Sequence, residues 1–445
     1  MLTMVYTILK YLMRLTLSTY FKTIKVTGKE NIPHSGPIIF VSNHPSTLMD
    51  PVVIGALIKP QVYFLAAAEF MGKGMVTKIM GSLFNMIPVY RPDTLPNKAS
   101  KNSDVFKKCY SHLANDGAIL IFPEGSSVTE KRLRTLKTGT ARIVLGAEKS
   151  NDIQVQIVPI GLNYTDPHSF QSDVFVSIGK PILSTIAELN GVTDEIEKVK
   201  TLTNVISEHL KDNLIHIEDT RLELLFEKIA TISKHELQNV DGKKPSLEDR
   251  YDLSMDIQKG LEFYAKKHPE ILEILNNKLD NYIKRSSFYG ITDASVAKGS
   301  SRVGWFDYVK IILGIPVFVF GYITNSLPYF FAIWAVRKMK VDHSFQGSIG
   351  LSFGLITYLI WYMGWGVFLS KITGIWWAGF GLFLIVYFTG RFTLSYLRLI
   401  TNIRQQGNLK RLLKKNRNLL ESLQDERSQI MDDIVMYSEI SKERG

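Results

Sequence analysis

Cysteine is almost missing from this chain: Cys109 is the single one among 445 residues. One thiol excludes an internal disulfide framework and any multi-cysteine metal centre, and it suits a protein that faces the cytosol. No Walker A stretch and no GxGxxG run is present, so nucleotide phosphate transfer has no support. No serine sits in a G-x-S-x-G elbow, which argues against a serine nucleophile. Acidic charge is locally scarce: residues 301–420 hold two Asp/Glu against fourteen Lys/Arg, while the rest of the chain holds 40 against 39. The formal net charge of +11 therefore belongs to one region, which is also the most apolar. That coincidence is a membrane signature rather than a nucleic-acid one. With 45% hydrophobic and 21% charged residues, a largely disordered or collagen-like chain is excluded.

The first segment, residues 1–22, is apolar but interrupted by Lys10 and Arg14. It fits neither a signal peptide nor a spanning helix. Leu2, Val5, Leu9, Leu12 and Met13 share one helical face, which predicts an amphipathic helix lying on a bilayer, with docking on the protein core as the alternative. Residues 23–185 alternate short apolar runs with helical stretches. Strands are expected at Pro37–Ser42, Val62–Ala66, Ile87–Tyr90, Ala118–Phe122, Gln154–Ile160 and Val174–Ile178. Helices are expected at Pro51–Ile58, Met75–Met80, Ser103–Asn115 and Thr138–Glu148. The fold class is therefore α/β, with a mostly parallel sheet flanked by helices and sites at the strand ends.

Residues 186–300 lack strand patterning and read as a helical subdomain, with breakers at Gln238–Ser246. Residues 301–400 form the membrane domain. Ile311–Val336 is apolar for 26 residues but is interrupted by Pro316, Asn325 and Pro328, and is expected to re-enter rather than span. Gly347–Ser370 and Ile372–Gly390 are uncharged over 24 and 19 residues, long enough for a spanning hairpin turning at Lys371. The flanking charges place the sheet domain and the tail, residues 401–445, in the cytoplasm. In that tail Leu409, Leu412, Leu419, Leu423, Ile430 and Ile434 approach heptad spacing. A coiled-coil homodimer and a solvated or membrane-skimming helix both remain open.

Chemistry concentrates in four blocks. Asn43-His44-Pro45-Ser46-Thr47-Leu48-Met49-Asp50 follows the first expected strand. A histidine there can take a proton near neutral pH, and a carboxylate on its other nitrogen would fix its tautomer. Asp50 suits a helix start and Pro51 the first helical position; the plainer reading is a helix cap beside a structural histidine. Ile121-Phe122-Pro123-Glu124-Gly125-Ser126-Ser127 leaves another strand with a glycine that lets backbone N–H groups approach an anion. Ile87-Pro88-Val89-Tyr90-Arg91-Pro92 offers a guanidinium for a phosphate. Val158-Pro159-Ile160-Gly161-Leu162-Asn163-Tyr164 is a buried strand ending in a turn. The histidines outside the first block lack metal-ligand spacing, so no metal is expected.

In this order the four blocks resemble the glycerolipid acyltransferases, the lysophosphatidate and glycerol-3-phosphate acyltransferases, over roughly residues 25–185. The resemblance implies transfer of a fatty acyl chain from acyl-CoA or acyl carrier protein to a glycerol-phosphate hydroxyl, in phospholipid synthesis and without a further cofactor. It makes His44 the general base and Asp50 its orienting partner. Asn43, Arg91, Phe122, Pro123, Glu124, Gly125, Ser126 and Lys137 become substrate-binding candidates. Ser126 and Ser127 stand where many bacterial members carry Thr-Arg; Arg132, Arg134 and Lys137 are the candidates to replace that arginine, and its loss is the one feature that favours a degenerate site. The stretch Leu136-Lys137-Thr138-Gly139-Thr140-Ala141, together with the fourth block, is more similar to the fungal-type glycerol-3-phosphate/dihydroxyacetone-phosphate acyltransferases. Two other readings stay open: acylation of another lysolipid, such as an amine-containing one, and a membrane-anchored lipid-binding scaffold with a degenerate site.

Overall fold

A computed structural model describes residues 2–71, 81, 84–90, 102–185, 192, 194–233, 245–298 and 304–444. Its contacts divide the chain into two units: Met1–Glu218 with Val341–Leu351, and Asp219–Lys340 with Ser352–Gly445.

The first unit is built on β1 (Thr23–Thr27), β2 (Ile38–Ser42), β3 (Val62–Ala67), β4 (Met86–Val89), β5 (Ala118–Ile121), β6 (Gln156–Tyr164), β7 (Asp173–Ile178) and β8 (Ile182–Leu183). The sheet order is β1-β7-β6-β2-β5-β3-β4, with β8 on β6. Five neighbouring strands, from β6 to β4, are parallel, while β7 and β8 run antiparallel to β6 and β1 pairs parallel with β7. The mostly parallel α/β fold expected from the sequence is thus present. Central β2 and β5 are buried at every residue, as uninterrupted apolar strands covered on both faces must be. Edge strand β1, Thr-Ile-Lys-Val-Thr, is half-buried throughout and was not among the expected strands.

Helices cover both faces: α1 (Leu2–Tyr20), α2 (Met49–Leu57), α3 (Asn102–Ala114), α4 (Gly139–Asn151) and α5 (Glu195–Lys211). Alternation along the strands sorts the core into two layers. Ile39, Val41, Ile119 and Ile121 pack with Cys109, Leu113, Val144 and Leu210, whereas Ile38, Phe40 and Leu120 pack with Leu17, Val53 and Ile54. Because α5 buries Leu202, Ile206 and Leu210 in the first layer, it belongs with the sheet. The division between the two units falls at Glu218/Asp219.

The α1 helix docks on α2. Arg14 Nε donates to Ala56 O at 2.5 Å, and Lys10 donates to Ile58 O and Lys59 O, so two cations meet carbonyls at the C-terminal end of α2. The face carrying Val5, Leu9, Leu12 and Met13 is half-buried, while Met4, Ile8, Tyr11 and Leu15 form an exposed apolar stripe.

The second unit contains α6 (Glu223–Ser233), α7 (Leu247–Lys267), α8 (Pro269–Phe288), α9 (Asp293–Lys298), α10 (Trp305–Met339), most of α11 (His343–Thr373), α12 (Ala378–Lys415) and α13 (Arg417–Arg444). A capping box at Ser246 and Asp249 starts α7. The α13 helix packs on α7 and α8, with ion pairs Lys278–Asp433 and Arg285–Glu426 and a buried Arg427–Asp293 contact of 2.9 Å. Leu419, Leu423 and Ile430, three residues of the expected heptad stripe, are buried there.

Three of these helices, α10, α11 and the part of α12 up to Arg411, are long and apolar enough to cross a membrane. The expected interruption of Ile311–Val336 does not occur: α10 runs unbroken for 35 residues with Pro316 and Pro328 inside it. Carbonyls freed by proline inside apolar helices are satisfied locally or by neighbours, so such helices tolerate it. The turn after α11 lies at Gly374, in the left-handed region at φ 69°, rather than at Lys371. The Met75–Met80 helix and most of Gln238–Ser246 lie outside the described residues.

Candidate active site

Parallel pairing of β2 with β5, with Val41 opposite Ile121, brings two of the sequence blocks to the same sheet edge. Such an edge, where loops leave the carboxyl ends of strands, is where open α/β sheets place their sites. The Asn43 side chain extends the ladder toward β6: its Nδ2 donates to Leu162 O at 3.0 Å, and its Oδ1 accepts from Leu162 N at 2.8 Å. His44 follows, half-buried, with its ring stacked on Phe122 at a centroid distance of 4.1 Å.

Asp50 sits in the first turn of α2 and is fully buried. Its Oδ2 accepts from His44 Nδ1 and from Ser46 N, both at 2.8 Å, and its Oδ1 accepts from Tyr164 Oη at 2.9 Å. A buried carboxylate is tolerable only when its oxygens are paired in this way. With Nδ1 engaged, Nε2 is the ring nitrogen left to take a proton. Burial, reinforced by the neighbouring Asp50 charge, pushes the Tyr164 phenol well above its usual range, so it stays a donor. Tyr164 received no role from the sequence; it ends the fourth block, and only the strand order shows that β6 lies beside β2.

The second block frames the histidine from β5. Glu124 Oε1 accepts from His44 N at 2.8 Å, and Oε2 accepts from Arg134 N and Nε, each at 3.2 Å. Burial raises the Glu124 carboxyl pKa, while those N–H contacts and the Arg134 charge pull the other way. Arg134 also donates to Ser126 Oγ at 3.0 Å and to the Ser126 carbonyl. It therefore braces the loop from within. Lys137 N donates to Pro123 O at 2.8 Å, and its side chain lies over Gly125, whose φ is 74°; a Cβ there would come within 2.8 Å of Lys137 Cδ and Cε.

Of the residues expected to touch substrate, Phe122, Glu124 and Asn43 also frame His44, and Pro123 O accepts from Lys137 N. Ser126 is engaged by Arg134. The Gly125 N–H, a candidate oxyanion donor, is committed to Phe122 O at 3.1 Å. Arg91 lies outside the described residues. No group of three or more His, Cys, Asp or Glu able to hold a metal occurs among the described residues.

A histidine paired to a buried carboxylate, beside a braced glycine loop, can take a proton from a hydroxyl. Residues 23–163 match the family model described as Acyltransferase. Over 176 residues the chain is 32% identical to Glycerol-3-phosphate O-acyltransferase 1 of Saccharomyces cerevisiae, covering 39% of this chain and 22% of that protein. It is 35% identical over 83 residues to Glycerol-3-phosphate O-acyltransferase 2 of the same yeast, 18% of this chain and 11% of the other. It is 28% identical over 178 residues to the chloroplastic 1-acyl-sn-glycerol-3-phosphate acyltransferase LPAT1 of Arabidopsis thaliana, 38% of this chain and 46% of that one. The chain spans less than half the length of each of these relatives. The motif-based resemblance to the glycerolipid acyltransferases is borne out by these matches.

Proposed function

We propose that this protein transfers a fatty acyl group from a thioester donor, acyl-CoA or acyl carrier protein, to a hydroxyl of glycerol 3-phosphate or its 1-acyl derivative. The observation that carries the reading is the contact between His44 Nδ1 and the fully buried Asp50, with Tyr164 on the other carboxylate oxygen. The acceptor hydroxyl attacks the thioester carbonyl as His44 Nε2 takes its proton, and Asp50 stabilises the imidazolium. The tetrahedral intermediate collapses with loss of the thiolate, which receives that proton. No enzyme nucleophile is needed, because the thioester is already activated. Lys137, exposed over Gly125, is assigned to the acceptor phosphate; the resemblance assigns Arg91 the same task.

The site works at a bilayer, with the catalytic unit and α13 on its cytoplasmic side. Exposed apolar residues along α10, α11 and α12, such as Leu313 at 73% and Phe380 at 70%, suit contact with lipid. The charge bias supports the placement of the tail: residues 401–420 carry six basic residues and no acidic ones. The exposed stripe of Met4, Ile8, Tyr11 and Leu15 is the face of α1 offered to the lipid surface.

The test is purified full-length protein in lipid nanodiscs, given labelled donors of both kinds and a panel of phosphate-bearing and amine-bearing acceptors. Acylation of a glycerol-phosphate acceptor is expected. His44→Ala should lower turnover by about 10²–10⁴-fold, the range for loss of a general base. A folded His44→Ala protein with wild-type turnover would refute the mechanism.

A further inference from the structure

We propose that the start of the apolar helix α11 is part of the catalytic apparatus, and that Ser348 is a positioning residue for His44 and Asp50. The proposal rests on the acyl-transfer reading above. In the sequence Ser348 is an inconspicuous hydroxyl inside an uncharged run. In the structure it is 1% exposed, and its contacts converge on the turn that carries the base. Its Oγ donates to Ser46 O at 3.0 Å, accepts from Met49 N at 2.9 Å and lies 2.9 Å from Thr47 Oγ1. Thr47 Oγ1 also reaches Ser344 O at 3.1 Å.

The turn needs such support. Thr47 has φ 33°, a left-handed conformation that a β-branched residue adopts only when its surroundings impose it. Ser127 Oγ takes the Thr47 N–H at 2.8 Å on one side, and the Thr47 hydroxyl donates to Ser344 O of α11 at 3.1 Å on the other. This conformation lets Ser46 N–H reach Asp50 Oδ2, the same oxygen that holds His44 Nδ1. Ser348 therefore acts on the base through the backbone of Ser46 and the carboxylate of Asp50.

A second strut arises one residue earlier. Gly347 N–H donates to His168 Nδ1 at 3.3 Å, His168 Nε2 lies 2.9 Å from Thr129 Oγ1, and that hydroxyl donates to Pro45 O at 2.8 Å. The approach requires glycine: a Cβ at Gly347 would come within 2.3 Å of Pro167 O. Residues 344–348 thus fix both ends of the Pro45–Met49 turn, from a position some 300 residues later in the chain.

The experiment uses the full chain in nanodiscs with an acyl-CoA and glycerol 3-phosphate, comparing Ser348→Ala and Gly347→Ala, each alone and combined with His44→Ala. Ser348→Ala should lower kcat about tenfold, with KM for both substrates within about twofold of wild type. In the His44→Ala background it should leave the residual rate unchanged, because its effect passes through the base. Ser348→Thr, which keeps the hydroxyl, should recover most of kcat. If Ser348→Ala does not fold, Gly347→Ala, which keeps every hydrogen-bonding group but displaces the helix, is read by the same criteria. Unchanged kcat in a folded variant would overturn the proposal. So would a rise in KM alone, or an equal loss in the His44→Ala background. Wild-type turnover in His44→Ala alone would instead sink the acyl-transfer mechanism itself.

Discussion

The sheet unit and the apolar helices solve opposite problems with the same residue types. Around His44 the polar groups are inside and carry the chemistry: Asp50 is fully buried with three donors, and Glu124 is 7% exposed with three more. In α10–α12 the apolar side chains face outward and the polar ones are again inside, where they join helices. Asn325 is the hub. Its Nδ2 donates to Gly321 O and Val386 O, its Oδ1 accepts from Tyr362 Oη, and its carbonyl accepts from Tyr358 Oη. Glycines at 314, 321 and 390 let α10 and α12 close onto each other. A buried hydrogen bond next to a titratable base organises a reaction, whereas one between helices replaces the hydrophobic drive that lipid does not supply.

The contrast can be broken at graded cost. The largest stability effect should follow Arg134→Met, which leaves the Glu124 carboxylate buried without its cation; a loss of about 3 kcal/mol, read by denaturant unfolding, is expected for breaking such a pair. A loss below about 1 kcal/mol would show that the brace is replaceable. Gly321→Leu should cost about 1–3 kcal/mol by overpacking, since a Cβ there already meets Thr393 Oγ1 at 2.4 Å and Thr389 O at 2.5 Å. It should show as lower resistance to detergent unfolding, with little change in KM for the enzyme that remains folded. The smallest effect belongs to Lys149→Ala. The Lys149–Glu195 pair is 3.0 Å apart but 76% and 63% exposed, and its removal should change the melting free energy by less than about 1 kcal/mol.

The two regions also differed in how far they could be read in advance. In the sheet unit, β2 and β5 were legible because strands buried on both faces are continuous apolar runs ending in chemically distinctive loops. His44, Asp50 and the Phe122–Gly125 loop followed from those ends. Edge strand β1 escaped because Thr-Ile-Lys-Val-Thr buries little and carries no flanking signal of its kind. Tyr164 and Ser348 escaped for a different reason. Each reaches the site through tertiary placement, across 114 and some 300 residues of chain, and no local period records that. In the helices, the prolines of α10 were read as breakers by the rules of water-exposed helices, yet the helix continues through both. In α13, Leu419, Leu423 and Ile430 are buried, and the helix packs on α7 and α8 of the same chain.

The central claim is that the His44–Asp50 pair drives acyl transfer while the surrounding loops hold it in place. Asp50→Asn tests it most directly, because the substitution keeps size and burial but puts an amide where three donors converge. Initial rates of labelled acyl transfer to glycerol 3-phosphate should be measured for wild type and Asp50→Asn in nanodiscs, at equal amounts of folded protein. The account predicts a kcat lower by about two orders of magnitude or more, with KM for donor and acceptor little changed. An Asp50→Asn enzyme that folds and turns over at the wild-type rate would contradict it.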